Sequence, residues 1–64
     1  MIVSIVAKDQ CGMIQEIVAT HIVRVARVKS EMLYLTAYLQ DGQHIEFKGG
    51  EAEHFLKQWH HLQS

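Results

Sequence analysis

The segment from Leu33 to Lys48 limits what this chain can fold into more than any other. Leu33, Leu35, Ala37 and Leu39 alternate with Tyr34, Thr36 and Tyr38, and Ile45 and Phe47 alternate with His44, Glu46 and Lys48. A period of two marks strands with one buried face. Asp41-Gly42 between the two runs is a hairpin signal. A loop of Asp41 and Gly42 alone would set Leu39 opposite His44 and Ala37 opposite Glu46, mixing apolar and polar side chains on both faces. A loop of Gln40, Asp41 and Gly42, with a left-handed Gly42, pairs Leu39 with Gln43, Ala37 with Ile45 and Leu35 with Phe47. The other face then carries Tyr38 beside His44, Thr36 beside Glu46 and Tyr34 beside Lys48. A slip of one residue turns every side chain over, so burial selects the second register.

Gly49-Gly50 closes the hairpin, and residues 51–62 read as a helix. Ala52, Phe55, Leu56, Trp59 and Leu62 form an apolar stripe at helical spacing. Glu51 and Glu53 lie in the first turn, where the helix dipole favours negative charge. The stripe is expected to lay Phe55 and Trp59 across the Leu33, Leu35 and Phe47 side of the hairpin.

Residues 1–8 read as a strand rich in Ile and Val, with Met1, Val3, Ile5 and Ala7 on one face and a turn over Asp9, Gln10, Cys11 and Gly12. Residues 13–28 admit two readings. Ile14, Ile17, Val18 and Ile22 fall at helical spacing, whereas Ile17, Val18, Thr20, Ile22, Val23, Val25 and Val28 are β-branched and disfavour helix. The compromise is a short helix or irregular turn at 13–20 and a strand at 21–29, with an all-strand reading beside it. The fold class is α+β: a small antiparallel β-sheet of three to five strands with a C-terminal amphipathic helix on one face. Residues 1–64 form a single small domain.

A chain of 64 residues buries a modest core, yet 48% of it is hydrophobic. Burying a face against a second copy resolves that conflict, so a homodimer is expected. Cys11 is the only cysteine, which excludes an internal disulfide and fits a reducing, cytoplasmic setting. The apolar opening, Met1 to Ala7, is too short for a membrane span and lacks a preceding basic segment. A formal charge of −1 gives no electrostatic footprint for duplex nucleic acid.

Chemistry-bearing patterns are sparse. Of five histidines, His54, His60 and His61 sit on the predicted helix. His54 and His61 share a side with Glu51 and Gln58, but they stand roughly 10 Å apart, too far to grip one ion. That side reads as a solvated helix face. Cys11 lacks a recognisable His/Asp set, and no phosphate-binding glycine motif occurs. The expectation is no enzyme, no metal and no cofactor. The outer hairpin face, Tyr34, Tyr38, His44, Glu46 and Lys48, is the expected interaction surface, because tyrosine is enriched at protein interfaces. Arg24, Arg27 and Lys29 could join Lys48 in a basic patch, which keeps a nucleic-acid reading alive.

Two stretches resemble known families. Ile2 to Val18, through Asp9, Gly12, Met13, Ile14, Glu16 and Ile17, resembles the opening of an ACT domain, where a strand runs through an Asp-x-x-Gly turn into a helix. That resemblance implies a small-ligand site over Asp9 to Ile14 between two subunits. Residues 22–59 resemble the strand, Asp-Gly hairpin and helix that end LytTR-type DNA-binding domains, through Ile22, Val23, Val25, Leu35, Asp41, Gly42, Ile45, Ala52 and Phe55. The favoured function is a non-enzymatic binding or regulatory module acting through protein contacts. A small-ligand module and a nucleic-acid regulator stand as alternatives.

Overall fold

The computed structural model describes residues 3–63 and has the α+β architecture expected from the sequence. Met1 and Ile2, assigned above to the first strand, lie outside the described residues. Strands β1 (Ser4–Lys8) and β2 (Ile14–Val18) pair antiparallel as one sheet. A single 3-10 turn, Ala19–His21, leads to β3 (Ile22–Lys29), β4 (Leu33–Leu39) and β5 (His44–Lys48), which form a second sheet in that order. Helix α1 (Gly49–Gln63) follows directly.

The hairpin register is the one that burial selects. Leu35 faces Phe47, Ala37 faces Ile45 and Tyr38 faces His44. The Leu39 N–H donates to the Gln43 carbonyl at 2.8 Å, and the Gly42 N–H donates to the Leu39 carbonyl at 3.0 Å. Gly42 has φ of 91°, a left-handed conformation that disfavours a Cβ. The same loop occurs between β1 and β2. There the Asp9 N–H donates to Met13 at 2.8 Å, the Gly12 N–H donates back to Asp9 at 3.0 Å, and Gly12 has φ of 88°.

The short helix or irregular turn expected at 13–20 gives way to β2 over most of that stretch, as the all-strand reading has it, with a 3-10 turn only from Ala19. Helical spacing placed Ile14 and Ile17 on one face, but Ile14 is 69% exposed while Ile17 is buried opposite Ile5. The β-branched residues prevail because the strand sets Ile17 into the core beside Ile5 and Ala7. The strand expected at 21–29 is present as β3.

One core joins both sheets and the helix. Ile5, Ala7 and Ile17 meet Leu33, Leu35, Ala37 and Phe47, with Ala52 and Phe55 above them. The Phe47 and Phe55 rings lie 4.9 Å apart and tilted, a pairing that contributes about 0.5–1.5 kcal/mol beyond area burial. Leu56 and Trp59 pack at the margin, and Leu62 is exposed. Helix α1 lies across β1, β4 and β5. No helix among the described residues is long and apolar enough to cross a membrane.

The helix also covers a sheet edge. Strand β1 turns the backbone groups of Ile5 and Ala7 toward β2, so those of Val6 and Lys8 point the other way. The Gln58 side chain meets both polar groups of Val6, and the Glu51 carboxylate accepts from the Lys8 N–H at 2.9 Å. At the end of the same edge, the Gln10 N–H donates to the Glu46 carbonyl of β5 at 3.0 Å. The face carrying Glu51 and Gln58, read from sequence as solvated, is therefore in part a cap on β1.

Candidate functional site: the outer sheet face

Pairing of β3, β4 and β5 brings all five sequence-predicted surface residues onto one side of the sheet, away from α1. Tyr34 stands beside Lys48, Thr36 beside Glu46 and Tyr38 beside His44. Strand β3 adds Val28 beside Tyr34, Ala26 beside Thr36 and Arg24 beside Tyr38. Val28 is 65% exposed and Tyr34 is 44% exposed, so the two form an apolar pair open to water. Val28 was missed in the sequence reading. Its signal is strand parity, readable once β3 is set against β4.

The polar end of the face is tied together by side-chain contacts. The Arg24 guanidinium carbon sits 4.3 Å from the Tyr38 ring centroid, a cation–π contact that contributes about 0.5–1 kcal/mol at an exposed site. The His44 ring lies 6.0 Å from the Tyr38 ring on the other side. Glu46 accepts from the Gln10 side chain at 2.8 Å, which ties the first hairpin turn to β5. Arg24, Tyr38 and His44 thus form a row across three strands, with Glu46 in the next row beside Thr36 and Val28 and Tyr34 further along the face.

The four basic residues do not form one patch. Arg24 shares the outer face with Lys48, whereas Arg27 and Lys29 pair with Leu35 and Leu33 and so lie on the helix side. Even and odd positions of β3 point to opposite faces, which splits the set.

The Asp9 to Ile14 segment is a strand-to-strand hairpin, without the helix that the ACT resemblance implies. Asp9 is committed to its own turn. Its carboxylate accepts from the Cys11 N–H at 2.9 Å, the Met13 N–H at 3.0 Å and the Gln15 side chain at 2.8 Å. These bonds, Gln15 first and Met13 next, hold the Asp9 carboxyl below its usual 3.8, against an opposing desolvation effect. A recess of about 240 Å³ lies between this turn and β5, lined by Cys11, Gln15, His44 and Glu46 among others. Cys11 itself is exposed. No group of three or more His, Cys, Asp or Glu able to hold a metal occurs among the described residues.

The chain matches no protein-family model, no curated protein and no solved structure.

Proposed function

We propose that this chain is a non-enzymatic binding module that acts through protein contacts and pairs with a second copy through the outer face of β3, β4 and β5. The observation that carries this reading is the Val28–Tyr34 pair, an exposed apolar cross-strand couple on a sheet face that the helix does not cover. Two such faces packed together would bury both pairs, as in a sheet sandwich. Each copy would gain apolar burial worth about 25 cal/mol per Å².

The charges on the face favour a protein over nucleic acid. Glu46 offsets one of the two cations, Arg24 and Lys48, and Arg24 already lies on Tyr38. A face of mixed sign can pair with itself, whereas a nucleic-acid surface needs a larger basic excess than the single net charge left here. Sedimentation of the full chain and of Val28→Glu and Tyr34→Ala tests the reading. Both residues are exposed, so the folded chain should tolerate the changes while association is lost.

A further inference from the structure

A second surface lies on the helix side of the three-stranded sheet. Helix α1 packs on β1, β4 and β5, and β3 stands beside it. Between α1 and β3 runs a groove of about 520 Å³, with buried Leu33 and half-buried Leu56 at its base and Arg27, Lys29, Glu53 and Lys57 around it. Three of the chain's six Lys+Arg gather here with one of its seven Asp+Glu, although the whole chain carries −1.

The same side holds an open strand edge. The Ser30 N–H donates to the Met32 carbonyl, which fixes the parity of the β3–β4 ladder. Arg24, Ala26 and Val28 therefore turn their backbone groups toward β4, and Val25 and Arg27 turn theirs outward. Among the described residues, no backbone hydrogen bond between elements reaches that outer side. The edge of β1, in contrast, is capped by Gln58 and Glu51.

We propose that the open edge of β3 and the basic groove beside it dock an extended acidic–apolar segment of a partner protein, which adds to the sheet as a further strand. Strand addition draws affinity from main-chain hydrogen bonds and specificity from alternate side chains. The inward side chains of such a segment would meet Leu33 and Leu56, and its acids would meet Arg27, Lys29 and Lys57. A second copy's β3 is a poor occupant, because it carries Arg24, Arg27 and Lys29 and no acid, and like charges across a strand pair repel. A single-stranded nucleic acid would want successive aromatic platforms, and of the described residues lining the groove only His60 carries a ring.

The test is an NMR titration of the isotope-labelled full chain with a short capped peptide alternating glutamate and leucine. The expected result is shifted and exchange-protected Val25 and Arg27 amides. Binding should weaken roughly tenfold in Arg27→Glu and in Lys57→Glu, both exposed and so tolerated by the fold. Tyr34→Ala on the outer face should leave peptide binding unchanged. Equal binding of a lysine–leucine peptide would overturn the proposal. So would displacement of the peptide by equimolar inorganic phosphate, or shifts confined to the outer face.

Discussion

Gln58 and Val6 are joined twice: the Gln58 Nε2 donates to the Val6 carbonyl at 3.0 Å, and the Gln58 Oε1 accepts from the Val6 N–H at 3.3 Å. A side-chain amide thus imitates one residue of a neighbouring strand. An uncapped edge is a template for pairing with other chains. Two hydrogen bonds at a solvent-accessible site contribute about 1–2 kcal/mol together. Gln58→Ala is expected to lower stability by about that amount and to speed exchange of the Val6 amide selectively. Gln58→Glu keeps the acceptor and loses the donor, so it should protect the Val6 N–H better than alanine does. Chemical denaturation and amide exchange on the three proteins check this.

Gly12 and Gly42 close equivalent loops at φ of 88° and 91°, with open space where a Cβ would project. The cost of alanine there is conformational and not a clash. Each Gly→Ala change is expected to destabilise by about 1–2 kcal/mol, and asparagine should cost less because it tolerates this region. Urea midpoints of Gly42→Ala and Gly42→Asn distinguish the two.

The hairpin register was legible in the sequence because only one pairing of Leu35, Ala37, Ile45 and Phe47 sorts apolar from polar side chains. The stripe from Ala52 to Trp59 was legible for the same reason. Residues 13–20 were not. Ile14, Ile17 and Val18 satisfy a helical period by coincidence, and the deciding fact, the pairing of Ile17 with Ile5, is a contact between elements. Gln58 and Glu51 were invisible as caps, since a polar residue on a helix reads alike whether it faces water or a strand edge. The separation of Arg24 from Arg27 and Lys29 was written in strand parity, but it required β3 to be accepted as a strand first.

Acid stability should report the Asp9 turn. The folded chain holds the Asp9 carboxyl below its ordinary 3.8, through Gln15 and then Met13, so the unfolded chain binds that proton more readily. Asp9 therefore contributes stability above its ordinary value, and the contribution is lost as pH falls through the lowered folded value. Asp9→Ala is expected to be less stable than the parent at neutral pH, and the gap should narrow in strong acid. Thermal melts of both proteins across the acid range provide the comparison.

Phe55 is fully buried and stacks on Phe47. Phe55→Ala is expected to cost about 3–5 kcal/mol, which matches the whole stability a core of this size supplies. The variant should be unfolded at room temperature by circular dichroism. Leu62→Ala, on the exposed end of the same stripe, should fold like the parent.

In the proposed dimer, the Val28–Tyr34 face joins two copies. Sedimentation equilibrium at micromolar concentration measures it most directly. A dimer for the parent chain, with folded monomers for Val28→Glu and Tyr34→Ala, is the predicted result. A monomeric parent, or a dimer that survives both substitutions, would contradict the claim.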